Sequence, residues 1–411
     1  MACYFYGKEE IYMDTTRLWT KNFILLVLAN SFLFGGFHIL LPTLPVYAAA
    51  QGANGSQIGL ITGIFGFSAI FIRLFTDLGV EKLGKKKCLY VGLFISFLCT
   101  ISYAMFNSVE SMIITRIFHG IGFGLTTTFS AAIVADIIPA SRRGEGIGYF
   151  GLGSTVAMAL TPATGVWLME TQGFIAMFIF SALLTGFAAV NTRFCHAPAI
   201  VSRPVEQRRK VSFKDKLFEK GTGMPSLLTM LFGLSYGSIN TFVAMLAQEA
   251  HIDNSGAFFV VGTICVFLSR PIGGKIFDAK GPAWIMIPGS ILLFSALVIL
   301  IQTHSFTLLL TAAVLYGFGG GLLLPALITW MLNIVAPDRR SAASATFYNM
   351  LDVGTSAGAI LLGMVAEHIG FIKMYIFSAG AMALFLLFFV GQMVLTRKAS
   401  LQQQSEVEWE E

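Results

Sequence analysis

The chain has 411 residues, of which 55% are hydrophobic and only 12% charged, with a formal net charge of +5. A charged share about half that of soluble domains excludes an ordinary water-soluble enzyme or nucleic-acid binder and calls for lipid as the solvent. Five scattered cysteines, odd in number, give no disulfide framework and no metal site.

Apolar runs of about 20 to 25 residues, each enough to cross a hydrocarbon layer of roughly 30 Å as a helix, recur along the chain. Six fall at 22–47, 57–78, 88–106, 110–138, 145–168 and 172–192. Six more fall at 224–249, 255–277, 283–302, 306–335, 342–366 and 371–396. The fold class is therefore an all-α membrane protein of twelve transmembrane helices. Residues 1–21 read as a tail, 22–192 as one six-helix bundle, 193–223 as a basic linker, 224–396 as a second bundle and 397–411 as an acidic tail. The linker carries Arg203, Arg208, Arg209, Lys210, Lys214, Lys216 and Lys220.

With both termini on the cytoplasmic side, all of the 27 Lys and Arg except Arg116 and Lys373 fall in or beside cytoplasmic segments. This matches the positive-inside rule, and moving the helix count by one would scramble it. A multi-pass protein of a bacterial inner or plasma membrane is expected, working as a monomer. Gly79-Val-Glu-Lys-Leu-Gly84-Lys85-Lys86 approaches a nucleotide-binding loop but lacks the closing Ser or Thr that holds magnesium. No cofactor is expected, so any uphill work draws on an ion gradient.

The halves repeat. Arg73-Leu-Phe-Thr-Asp77-Leu-Gly-Val-Glu81-Lys-Leu-Gly84 returns 197 residues later as Arg270-Pro-Ile-Gly-Gly274-Lys-Ile-Phe-Asp278-Ala-Lys-Gly281, with arginine, acid and glycine in register. Two homologous halves are a common plan of secondary transporters. Residues 22–396 resemble the major facilitator superfamily, whose signature loop between its second and third helices is similar to the cassette at Arg73–Gly84. Arg116-Ile-Phe-His-Gly120-Ile-Gly122-Phe-Gly124 resembles the family's membrane-embedded arginine followed by glycines. Gly151 to Gly165, with Thr161-Pro162, resembles the Gly-Pro motif of its antiporters. The resemblance implies alternating access between two bundles, an antiporter, and a signature acid, here Glu81, that meets the eleventh helix when the cytoplasmic side is shut.

Site candidates follow from cost. An ionisable group inside a bilayer is expensive unless paired or wet, and so marks function. Asp352, near the midplane of the eleventh span, is expected to carry the proton, with Arg116 facing the cavity and His38 and His119 as further coupling candidates. Asn349, one turn from Asp352, joins Asn30, Tyr236, Asn240, Tyr316 and Tyr348 as polar substrate-binding lining. Arg73, Asp77, Glu81, Asp136, Arg142 and Arg143, with Arg270 and Asp278 from the second half, are expected to form a cytoplasmic gate. Pro162 and Gly165 are candidate hinge residues of the fifth span.

The reading is a proton-coupled exporter of small amphipathic organic molecules, with protons, substrate and lipid as its partners and no nucleic acid. Tyr236-Gly-Ser-Ile-Asn-Thr-Phe-Val and Asp352-Val-Gly354 also resemble opine-metallophore exporters. The alternatives are such a dedicated exporter, a proton-coupled uptake symporter, or a membrane sensor or enzyme. Against an enzyme, no paired catalytic constellation lies near either membrane face.

Overall fold

A computed structural model describes residues 17–139, 142–195, 218–336 and 339–410, with side chains except at 77, 78, 80, 81, 143, 144, 278, 341 and 396–410. Among the described residues there are helices and no strands. The first half holds α1 (Lys21–Ala50), α2 (Gly55–Arg73), α3 (Thr76–Leu83), α4 (Lys85–Met105), α5 (Val109–Ile137), α6 (Arg143–Gln172) and α7 (Phe174–Arg193). The second holds α8 (Gly223–Glu249), α9 (Gly256–Lys280), α10 (Ala283–Ile301), α11 (Phe306–Asn333), α12 (Arg340–Ile369) and α13 (Phe371–Glu410). All but the short α3 are long and apolar enough to cross a membrane, twelve in number.

Local sequence explains the boundaries. Thr20, Ser108 and Ser305 cap α1, α5 and α11 by accepting backbone N–H bonds, and Asn54 with Gln57 closes a capping box on α2. Several helices meet at a single glycine in the left-handed region, which favours a residue without Cβ. These glycines follow the repeat. Gly84 (φ 78°) and Gly281 (φ 85°) stand 197 residues apart, as do Gly173 (φ 86°) and Gly370 (φ 86°).

Two expected boundaries move. The second span, read as 57–78, stops at Arg73, and α3 starts after a short turn. The Thr76 hydroxyl donates to the Arg73 carbonyl at 2.8 Å, occupying an acceptor the helix would otherwise need to continue. The acidic tail, read as separate from the last span, continues α13 as far as Glu410.

The halves meet along three seams, α2 with α12, α6 with α9 and α1 with α8. Without a hydrophobic effect between helices in lipid, close backbone approach has to supply the attraction. At the first seam a Cβ on Gly59 would collide with the Ala359 carbonyl oxygen, and one on Gly63 with that of Ser356. At the second, Gly256 packs on Val166, and the Thr263 hydroxyl bonds the Ala159 carbonyl.

The molecule is closed at one face and open at the other. One apolar core runs through Leu40, Leu44 and Tyr47 of α1, Val166 of α6, and Phe242 to Ala247 of α8, joining both bundles at the face away from the basic residues. Toward the basic face, open space meets any Cβ placed on Gly148, Gly151 or Gly274. Tyr348 of α12 is 49% exposed there. The buried residues near that face, Leu26, Phe129 and Ile133 among them, form a core confined to the first bundle, so the apolar seal between the bundles stops short of the basic face.

Candidate functional site

The end of α2 places Arg73 against α12, where its Nη1 donates to Asp352 Oδ2 at 2.6 Å and lies 3.5 Å from Asn349 Oδ1. Asp352 and Asn349 share one face of α12, as their spacing requires. The pair spans the two bundles. Asp352, expected near the midplane, sits roughly 18 Å from the start of α12 and roughly 26 Å from its far end, level with the last residue of α2. It is also an ion-paired, 30% exposed carboxylate, where an isolated desolvated acid was expected. Arg73, expected in a network with α5 and α6, is instead the partner that crosses between halves.

A second polar group gathers in the C-terminal bundle. Tyr236 of α8 stacks on Tyr316 of α11, with ring centroids 5.1 Å apart, and on Phe232 at 5.1 Å. The Tyr316 hydroxyl donates to Asn240 Oδ1 at 3.1 Å, and Asn240 Nδ2 donates to the Tyr236 carbonyl at 2.8 Å. The phenols of Tyr236 and Tyr348 lie within electrostatic range of Arg270, and Tyr348 within that of Asp352. Arg270, read as a gate residue, has its Nε buried without a hydrogen-bond partner among the described residues. Tyr236, Asn240 and Tyr316 thus come together within the C-terminal bundle, where Tyr316 is 4% exposed, while Asn349, 6% exposed, lies beside the Arg73–Asp352 pair.

Four other candidates do not reach the space between the bundles. Arg116, expected to face the cavity, is 1% exposed inside the N-terminal bundle. Its Nε donates to the Ile61 carbonyl at 3.2 Å, and its charge lies 4.8 Å from the Phe65 ring centroid and 6.0 Å from that of Phe37. A ring face attracts a desolvated cation by about 2 kcal/mol. Nη1 of Arg116 is buried without a hydrogen-bond partner among the described residues. His119 is 2% exposed, with Nδ1 3.2 Å from the Tyr103 hydroxyl, and Tyr103 is also within hydrogen-bonding reach of Arg116. His38 turns back on its own helix, 2.8 Å from the Phe34 carbonyl. Asn30 is 4% exposed among Leu26, Leu89, Leu93 and Ser130, inside the bundle where substrate lining was expected. A helical face on which several neighbours pack gives no sequence signal for which one a polar group meets.

Ion pairs of the basic face fall among the described residues. Lys85 Nζ donates to Asp136 at 2.5 Å, joining α4 to α5, and Arg142 pairs with Glu145 at 2.8 Å within the start of α6. The side chains of Asp77, Glu81, Arg143 and Asp278 lie outside the described residues. Glu219, which sequence reasoning missed, is 5% exposed and accepts from Arg339 Nε at 2.9 Å and Nη2 at 2.5 Å. The sequence reads it as part of a solvated linker, and its partner is 120 residues away. The hinge candidates sit within unbroken helix: α6 runs through Pro162. A Cβ on Gly165 would lie 3.0 Å from the Ile39 carbonyl of α1, so this glycine permits packing. Cys88, Cys99, Cys195 and Cys265 are buried and unpaired.

Two repeated six-helix bundles around a polar space open to one face define a membrane transporter of the two-bundle class. The chain belongs to the major facilitator superfamily, whose family model matches residues 26–225 and again 225–409. It is 23% identical over 367 residues to the staphylopine export protein of Staphylococcus aureus, covering 86% of this chain and 91% of that one. It is 24% identical over 387 residues to the multidrug resistance protein MdtG of Escherichia coli, covering 89% and 93%. The crystal structure of the nucleoside transporter NupG matches the fold with a TM-score of 0.70 at 16% identity, over 91% of this chain and 99% of that one. The chain is a multi-pass membrane transporter of small molecules, and not an enzyme.

Proposed function

We propose that this chain exports small amphipathic organic molecules in exchange for protons, that its basic face is cytoplasmic, and that Asp352 carries the proton. The observation that carries this reading is the ion pair from Arg73 to Asp352 across the bundles, in a molecule open at the basic face. Export is supported by the export and resistance proteins among its relatives. The orientation is supported by the distribution of Lys and Arg.

In the cytoplasm-open form, Asp352 is ionised and held by Arg73, and substrate enters from the cytoplasm. Once the bundles rock to the outer side, substrate leaves and a proton neutralises Asp352. The neutral acid then lets α2 close back on α12 without carrying an unpaired charge through the seam. Re-forming the pair on the cytoplasmic side expels the proton. Arg116, enclosed by Phe37 and Phe65, supports this cycle as a fixed positive charge within the N-terminal bundle rather than as a substrate contact.

A dedicated opine-metallophore exporter is a second reading, favoured by the staphylopine export relative and by the position of Tyr236, Asn240 and Asp352 around the cavity. An uptake symporter requires the opposite sign of flux. Expression in an efflux-deficient cell, with untargeted comparison of compounds inside and outside, separates these readings. Depletion inside is expected, depletion of metallophore alone favours the second reading, and accumulation inside would overturn export.

A further inference from the structure

The repeat places Arg73 and Arg270 at one position of their respective halves, yet their surroundings differ. Arg73 has a carboxylate at 2.6 Å. The residue 197 positions before Asp352 is Thr155 of α6, so the equivalent seam supplies Arg270 with no acid. Among the described residues the Arg270 guanidinium makes no hydrogen bond or ion pair, and its Nε is buried. The polar groups beside it are the phenols of Tyr236 and Tyr348.

A guanidinium inside a membrane, part of it buried without a partner, is costly until an anion meets it. Its planar fork of N–H donors matches a carboxylate in two-point contact better than any neutral group. The wall next to it is the half-buried ring of Tyr236, which stacks on the buried Phe232 and on the buried Tyr316, each 5.1 Å away between ring centroids. A carboxylate attached to an apolar, preferably planar, body satisfies both the base and the wall. A cationic substrate would leave Arg270 unpaired and add a second positive charge.

We propose that Arg270 is an anion-binding centre of the inter-bundle cavity, and that the substrates of this transporter are amphipathic carboxylates. This rests on the reading of the inter-bundle space as the transport cavity and names the substrate class it takes. Arg270 receives from the substrate the carboxylate that Arg73 receives from Asp352.

The test is equilibrium binding to the purified full chain in phosphatidylcholine nanodiscs, with two probes of one size, 2-naphthoate and 2-naphthylmethylammonium, and no proton gradient. Wild type is expected to bind naphthoate and to prefer it over the ammonium probe. Arg270→Gln is expected to weaken naphthoate at least tenfold without weakening its binding of the ammonium probe. Arg270→Lys, which keeps the charge and loses the fork, falls between, and it carries the test if Arg270→Gln does not fold. Equal naphthoate affinity in wild type and the Arg270 variants, preference for the ammonium, or no naphthoate binding by wild type would each overturn the anion centre. Because no gradient is present, those results leave proton-coupled export standing. Failure of export with naphthoate binding intact would sink the transport cycle alone.

Discussion

Glu170 and Glu367 stand 197 residues apart and make equivalent bonds at the closed face, each across the seam to a serine at the start of the facing helix. Glu367 accepts from both the backbone N–H and the hydroxyl of Ser56 at the head of α2, and Glu170 accepts from the hydroxyl of Ser255 at the head of α9. A carboxylate at a helix N-terminus gains up to about 1 kcal/mol from the helix dipole. The double variant Glu170→Gln, Glu367→Gln should therefore move the balance toward the outward-open form by roughly tenfold. Labelling of a cysteine placed at Ile360 by an impermeant reagent from the outer side measures this. An unchanged labelling rate removes the two glutamates from the seal.

The glycine row of α2 makes a sharper claim about the same face. A side chain at Gly63 meets the Ser356 carbonyl and the Ile360 side chain within 3 Å. Gly63→Val should hold α2 and α12 apart, abolish transport and raise outer-side labelling at Ile360, while Gly151→Ala, which faces open space, should do neither. Wild-type transport by Gly63→Val would contradict the tight seam.

Arg116 should behave as a structural cation as much as a coupling one. Arg116→Ala removes the charge that Phe65, Tyr103 and the Ile61 carbonyl surround, and leaves a void. A loss of about 3 kcal/mol is expected, read as a lower melting temperature of the purified protein. Wild-type melting with lost naphthoate binding would return Arg116 to the cavity.

The twelve spans were legible because apolar length is a strong signal in lipid, and the halves because charged and glycine positions recur in register. That register proved structural: the left-handed glycines at 84 and 281, and at 173 and 370, obey it. Contacts between spans were less legible. Nothing in the spacing of Arg73 and Asp352 announces a bond across 279 residues, and helix periodicity does not tell Arg116, buried, from Arg270, beside the cavity. Glu219 was hidden by its neighbours, since a basic linker reads as solvated until Arg339 is seen to pair with this buried acid.

Orientation has its own check. Cysteines at Gln51 and Lys220, both exposed, should label from opposite sides in a cysteine-free background, Gln51 from outside and Lys220 only after permeabilisation. Labelling of both from outside intact cells would break the twelve-span topology.

The proton-carrier role of Asp352 is tested most directly by measuring proton and substrate flux together in proteoliposomes under an imposed pH gradient, for wild type and Asp352→Asn. The amide mimics the protonated acid and cannot release a proton to re-form the pair with Arg73. Asp352→Asn is therefore expected to lose uphill transport and coupled proton flux while retaining downhill substrate exchange. Uphill transport by Asp352→Asn with wild-type proton coupling would contradict the account and pass the role to His38 or His119.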